Sequence, residues 1–324
     1  RGFFALKQSG LKTCDLCWRG TSQQISLLWT TPDNDYIFKI GGTDNLMDYK
    51  HISVKPISSA LGAEIHGVNL SKIDDEIFAE IHHAFLQHAV VFLRNQDITP
   101  EQQISFSARF APIGYYPFLK GLKNHPEVIE VRKEPQDEVN FGGVWHTDTA
   151  YLAKPPMGSV LYAKEIPASG GDTMFSSLYL AYENLSDGMK AMLQGRRALN
   201  SSRKGDAAVG RQKSVDENPK DASDIQTEAI HPVVRTHPET GRKALYVNRG
   251  HTICFEGATP EESAPILEFL FEHQIKPEFT CRFQWENGSI AVWDNRCALH
   301  YPLNDYHGHR RVMHRVTMEG GIPS

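Results

Sequence analysis

Four side chains of this chain could do chemistry together. His146 and Asp148 stand two positions apart in Trp145-His-Thr-Asp-Thr149, and His300 and Arg311 lie far downstream. Two imidazoles and one carboxylate can occupy one face of an octahedral metal ion and leave the opposite face open, an arrangement suited to a non-heme Fe(II) centre that activates O2. Alternate residues of an extended segment point to the same side, so His146 and Asp148 can reach one ion from one short stretch. An arginine close behind the second histidine offers a bidentate anchor for a dicarboxylate such as 2-oxoglutarate. The set makes the chain a candidate Fe(II)- and 2-oxoglutarate-dependent dioxygenase.

The third ligand has competitors, because His300, His307, His309 and His314 all lie in the tail. His300 follows the run Ile290-Ala-Val-Trp-Asp and falls at a strand mouth, while His307 and His309 sit in a polar loop. In Arg311–Met318 strand alternation puts Arg311, Met313 and Arg315 on one face and Val312, His314 and Val316 on the other. With the arginines toward the pocket, His314 faces away, and His300 is the ligand. Charge follows the same assignment. Fe(II), one carboxylate and bound 2-oxoglutarate leave a buried negative charge that Arg311 cancels. Arg315 is then a surplus cation on the same face and needs an anion of its own.

These groups have to be positioned by a chain of 324 residues, enough to bury a substantial core. A net charge of −5 gives no support to nucleic acid or an anionic membrane as partner. No apolar run approaches the roughly 18 residues that span a bilayer. Five scattered cysteines fit a reducing cytoplasm better than a disulfide framework. Residues 1–46 lack any sustained period and contain Cys14-x-x-Cys17, half a zinc ribbon without its other half. Met47 reads as the natural start, with 1–46 a non-native or poorly ordered extension and 47–324 the functional domain. Helical periodicity marks Asp74–Gln87, and Thr-Pro-Glu-Gln at 99–102 and Thr-Pro-Glu-Glu at 259–262 are capping boxes that open two more helices. Helix is also expected around 177–195. Strands are expected at Val90–Arg94, Val128–Val131, Ser159–Ile166, Ile230–Arg235, Ala244–Asn248, Phe279–Trp285, Ser289–Trp293 and Arg311–Met318. Many short strands with helices set apart point to an α+β, mainly β fold: a double-stranded β-helix (jelly roll) core with flanking helices. The charged, aperiodic stretch 201–228 reads as a lid over the site.

From Met47 to Gly321 the chain resembles the taurine/2,4-dichlorophenoxyacetate dioxygenase family. The stretches that carry the likeness are Trp145-His-Thr-Asp-Thr149, Gly170-Gly-Asp-Thr173, the run His231–Gly241, Trp293-Asp-Asn-Arg-Cys-Ala-Leu-His300, Asn304-Asp-Tyr306 and Arg310–Arg315. The resemblance implies that His146, Asp148 and His300 bind iron, that Thr173 and Arg311 hold the distal carboxylate of 2-oxoglutarate, and that Arg315 meets an acidic group of the substrate. It further implies consumption of O2 and 2-oxoglutarate, release of succinate and CO2, and hydroxylation of a substrate C–H bond.

The sequence departs from the taurine pattern where substrate is bound. Tyr116 stands where a histidine is expected, Asn140-Phe-Gly-Gly-Val144 lacks the usual asparagine beside the tryptophan segment, Arg203-Lys-Gly-Asp206 replaces an aromatic lid motif, and His251 replaces a phenylalanine. Arg315, Tyr116, His251 and Asn140 are therefore the candidate substrate residues. The expected substrate is a small organic anion, a sulfonate, sulfate ester or carboxylate, with taurine itself as the alternative. A zinc hydrolase on the same ligands and a non-catalytic jelly-roll binding protein are the rivals of another class. A homo-oligomer, dimer or tetramer, is compatible with this reading.

Overall fold

The computed structural model describes residues 48–116, 119–204 and 227–324. All lie within the unit Met47–Ser324, while the stretch Arg1–Leu46, with Cys14 and Cys17, falls outside them.

The architecture follows from the strand Val90–Leu93, whose four residues are all buried. Val90 and Phe92 belong to one core cluster, Val91 and Leu93 to another. Alternation sends successive side chains to opposite faces, so this strand needs a covering layer on each side. It sits in a nine-stranded sheet ordered Ser53–Pro56, Ala63–His66, Val90–Leu93, Ile290–Asp294, Gly158–Glu165, Arg311–Met318, His125–Lys133 and Gly121–Leu122, with Ile113–Gly114 joined to the end of Arg311–Met318. On one face, Ile81 and Phe85 of the helix Asp75–His88 and Phe106 of the helix Pro100–Ala108 pack against Val91, Leu93, Val160, Ile290 and Val292. On the other, a three-stranded sheet of Thr280–Phe283, Thr173–Ser177 and Ala298–Pro302 lays Phe175 and Phe283 on Phe92, Trp293 and Met313. The Phe92 and Phe283 rings stack across the gap with centroids 3.9 Å apart. This is the expected jelly roll, with its helices on the outer face of the large sheet.

Several elements are shorter or more divided than local pattern suggests. Ile230–Arg235 is two strands, Glu228–Pro232 and Val234–Thr236, in different sheets. Pro232 has no N–H to carry the ladder forward, and the next N–H, of Val233, donates to Arg196 O at 2.9 Å. Helix in 177–195 is likewise two pieces, Leu178–Glu183 and Asp187–Leu193, the second capped by Ser186. Both capping boxes form, at Thr99 and Thr259. Pairing at Ala244–Asn248 is confined to Lys243–Leu245, and that at Phe279–Trp285 to Thr280–Phe283. Of 201–228, Ser201 and Glu228 are not loop but paired residues of the strands Arg197–Ser201 and Glu228–Pro232, the Ser202 N–H donates to Thr227 O at 2.8 Å, and 205–226, most of the expected lid, lies outside the described residues. No described helix is long and apolar enough to cross a membrane.

Candidate metal and co-substrate site

His300 lies on Ala298–Pro302, opposite Phe175, at the inner face of the small sheet. His146 lies on no strand but bridges to His300 alone. Each backbone N–H donates to the other's carbonyl, at 3.1 and 2.9 Å. Residues directly opposite in an antiparallel pair project to the same side, so the two rings meet with centroids 4.2 Å apart. Gly250 allows this approach, since a Cβ there would lie 2.8 Å from His146 Cβ. After the bridge the chain turns rather than running on as a strand, and Asp148 reaches the same point from that turn. Thr149, just beyond, has a left-handed backbone with φ of 40°, a conformation that costs a non-glycine residue about 1–2 kcal/mol.

The three groups converge on one another in the buried interior. Asp148 Oδ1 is 3.8 Å from His146 Nε2 and 3.7 Å from His300 Nε2, and all three residues are less than a tenth exposed. The Nδ1–H of His146 donates to Val144 O at 2.6 Å, which makes Nε2 the nitrogen that carries the lone pair. The other carboxylate oxygen, Oδ2, is occupied. It accepts from Asn295 Nδ2 at 3.1 Å and Ser159 Oγ at 3.4 Å, with Arg315 Nη2 at 2.7 Å. Burial opposes the charge on Asp148, yet Arg315, the two histidines and Asn295 hold its carboxyl well below the usual range. Burial, reinforced by His146, holds His300 well below an ordinary histidine and therefore neutral. Two imidazole nitrogens and one anionic oxygen, each turned inward, are the donor set that fits Fe(II).

The arginines stand where strand alternation puts them. Arg311 and Arg315 line a cavity of about 50 Å³ with His146, His300, Thr173 and Trp293, while His314 lies 3.8 Å from Glu130 on the neighbouring strand and lines no part of it. Arg311 is 6 % exposed, and its Nε and Nη2 have no hydrogen-bond partner. Burial disfavours its charge, with only Tyr306 and Asp172 near enough to oppose the effect. A cation so placed has donors ready for a carboxylate. Thr173 Oγ1 accepts from Trp285 Nε1 at 3.0 Å, so its own proton is free to donate. Gly171 permits this packing: with φ of 72°, it brings its backbone to where a Cβ would lie 3.2 Å from both Arg311 and Tyr306.

The four residues expected on the substrate side separate by environment. Arg315 lines the cavity but is not the surplus cation that charge counting suggests, because Asp148 and Ser159 (Nε to Oγ, 3.1 Å) already engage it. The ring of Tyr116 lies 5.7 Å from the Arg315 guanidinium. Asn140 Nδ2 donates to Pro302 O at 2.9 Å. His251 packs 6.1 Å behind His146, between it and Tyr151. Neither Asn140, His251 nor Tyr116 is among the cavity-lining residues.

Asn295 and Ser159 escaped the sequence reading as site residues. Asn295 Oδ1 accepts from Trp293 Nε1 at 3.0 Å and from the Asp148 N–H at 3.3 Å, so one side chain ties the carboxylate to the core. The turn that carries it is held by Asp294, which takes both Nε and Nη2 of Arg296 at 2.8 and 2.7 Å and the Nε2–H of His237 at 2.9 Å. His237, Asp294 and Cys297 form a second close, buried group. That carboxylate is taken up by Arg296 and the imidazole is already a donor, so the group acts as a structural clamp. Burial opposes ionisation of Asp294, but Arg296 and His237 hold its carboxyl below the usual range. Its stabilisation is therefore complete above an unfolded aspartate's value of about 3.9 and is lost as pH falls through the lower folded value. Asp294→Asn is expected to lower stability by about 3–5 kcal/mol at neutral pH and to flatten the decline of Tm with pH in the acid range. Parallel Tm–pH curves for variant and parent would contradict that role.

Known proteins resemble this chain over most of its length. Residues 53–317 match the family described as Taurine catabolism dioxygenase TauD, TfdA family. A (S)-phenoxypropionate/alpha-ketoglutarate-dioxygenase from Delftia acidovorans is 31% identical over 285 residues, 83% of this chain and 97% of that protein. An alpha-ketoglutarate-dependent sulfate ester dioxygenase from Pseudomonas putida is 30% identical over 278 residues, 84% of this chain and 91% of that protein. The crystal structure of a taurine dioxygenase from Burkholderia xenovorans superposes with a TM-score of 0.72 at 38% identity, covering 85% of this chain and 93% of that one.

Proposed function

This chain belongs to the taurine catabolism dioxygenase TauD, TfdA family and is an Fe(II)- and 2-oxoglutarate-dependent dioxygenase; from that premise we propose that it hydroxylates a small organic anion held by Arg315. His146, Asp148 and His300 are the proposed iron ligands, and Arg311 with Thr173 the proposed receptor for the distal carboxylate of 2-oxoglutarate. The observation that carries the reading is the pair of arginines two pleats apart on the inner face of Arg311–Met318, one with unpaired donors and one against the metal carboxylate. A zinc hydrolase on the same ligands would have no use for Arg311.

When bound, iron supplies the oxidising chemistry, with 2-oxoglutarate and O2 as co-substrates. The protein supplies position and dryness. Val144 O fixes the His146 tautomer, and Asn295 and Ser159 fix which oxygen Asp148 offers. Arg311 would hold a carboxylate of the co-substrate, with the Thr173 hydroxyl as a further donor. Arg315, wedged between the Trp293 and Tyr116 rings at 5.6 and 5.7 Å, holds the substrate's anionic group near the carboxylate that binds iron. The relatives described above are named for phenoxypropionate, a sulfate ester and taurine, and what those compounds share is an anionic group. A panel of the three classes, scored by succinate release with Fe(II) and ascorbate, tests the reading. An anionic compound should give the highest kcat/KM, and a neutral compound turned over best would overturn it. The three described cysteines, unpaired and buried, support a reducing compartment such as the cytoplasm.

A further inference from the structure

Four arginines are buried among the described residues: Arg235, Arg296, Arg311 and Arg315, each at 6 % exposure or less. Arg296 is matched by Asp294 and Glu239, and Arg315 by Asp148. Arg311 makes no ion pair within the described protein, and the reading above assigns it a carboxylate of the co-substrate. Arg235 is left over. It is 2 % exposed, its Nε and Nη1 are buried without a hydrogen-bond partner, and no described carboxylate forms an ion pair with it. An uncompensated buried cation is costly, and proteins keep one chiefly where an anion comes to it.

Arg235 is also placed to receive one. It lies on Val234–Thr236 opposite Ala244, with its guanidinium 4.9 Å from the centre of the Tyr246 ring. It lines a cavity of about 290 Å³, well separated in its lining from the metal site and larger than the cavity there. Thr236, Glu239 and Arg296 form part of the wall, and Phe110, Met157, the stretch 319–322 and Ser324 form most of the rest. The wall carboxylates offer Arg235 little. Glu239 spends Oε1 on Arg296 at 2.6 Å and Oε2 on His82 at 3.1 Å, Glu319 is exposed, where solvent screens it, and Ser324 accepts from the Thr236 N–H at 2.6 Å and forms no described ion pair with Arg235. The Tyr246 ring beneath Arg235 turns its hydroxyl toward both Arg235 and Thr147, and Thr147 stands between two of the proposed iron ligands.

We infer that this cavity is an accessory site for a small oxyanion, a carboxylate or phosphate, received by Arg235. Pockets for drug-sized ligands span roughly 300–1,000 Å³, so the site suits only a compact metabolite.

Calorimetric titration of the full chain carrying Arg311→Gln, with succinate and separately with inorganic phosphate, tests this without the catalytic anchor in play. One equivalent of a probe is expected to bind, and adding Arg235→Gln should weaken it roughly tenfold or more. Gly321→Trp supplies an independent arm. Gly321 lines the cavity, and a Cβ there meets nothing within 4 Å, so a side chain can be added at this wall position without a clash at its root. It should remove binding while leaving Tm and circular dichroism at parent values, which decides the matter even if Arg235→Gln fails to fold. Preference for succinate or for phosphate identifies the source of the anion, and either supports the site. Absence of binding by both probes at millimolar concentration, or binding that survives Arg235→Gln and Gly321→Trp, overturns it.

Discussion

Replacing Asp148 with alanine is expected to abolish turnover and to weaken Fe(II) binding by more than the roughly 10–100-fold that follows loss of an outer partner of a metal ligand. Two losses combine in this substitution. Among the described residues, the only anionic oxygen facing both histidine Nε2 atoms disappears, and Arg315 is left buried with Ser159 as its remaining partner. Buried cations that lose their anion are destabilising in their own right, so Tm should fall as well. His314→Ala is the control. That ring lies toward Glu130 and away from the cavity, so iron stoichiometry and kcat should remain near the parent values. Metal analysis after dialysis, beside succinate release, reads both. Normal iron content in the Asp148 variant would remove it from the ligand set, and iron loss in the His314 variant would put the wrong histidine in it.

Arg311→Gln and Arg315→Gln are expected to separate the two anions, but not symmetrically. Hydrogen bonds to charged groups contribute on the order of 1.5–3 kcal/mol, so Arg311→Gln should raise the KM for 2-oxoglutarate roughly tenfold or more. It should leave the substrate KM and iron affinity close to those of the parent, because Arg311 makes no hydrogen bond to any ligand residue. Arg315→Gln should raise the substrate KM by a similar factor. It should also lower Fe(II) affinity, since Arg315 Nη2 sits 2.7 Å from Asp148 Oδ2. Charge counting on the sequence alone predicts no such effect on iron. Equal loss of 2-oxoglutarate affinity in both variants would end the division of labour, and unchanged iron affinity in Arg315→Gln would show that its contact with Asp148 is incidental.

Much of this protein is legible from residue order alone, where the physics is local. A Thr-Pro-Glu-Gln capping box needs only its own four residues, and it forms at Thr99 as written. Strand alternation needs only the pleat, so Arg311 and Arg315 face the cavity and His314 does not. The triad was also legible in His-x-Asp and a later histidine, although for a different local reason than alternation. His146 is aimed by a single bridge to His300, and Asp148 by a turn that ends in left-handed backbone at Thr149.

What tertiary structure alone decided is the partnership of groups distant in sequence. Trp293-Asp-Asn-Arg reads as a motif, but nothing in its order says that Asn295 reaches Asp148 across 147 positions or that Asp294 clamps His237 and Arg296. Charge arithmetic counted Arg315 as surplus because it could not see that the carboxylate assigned to iron has a second oxygen, and that this oxygen takes the arginine. It passed over Arg235 altogether, since a burial of 98 % and the lack of a partner are properties of packing rather than of composition. Local propensity and period are written into neighbouring residues, and so residue types, faces and helix starts could be read directly. The electrostatic balance of a buried charge depends on every chain segment that closes around it, and only the folded arrangement of sheets determines which segments those are.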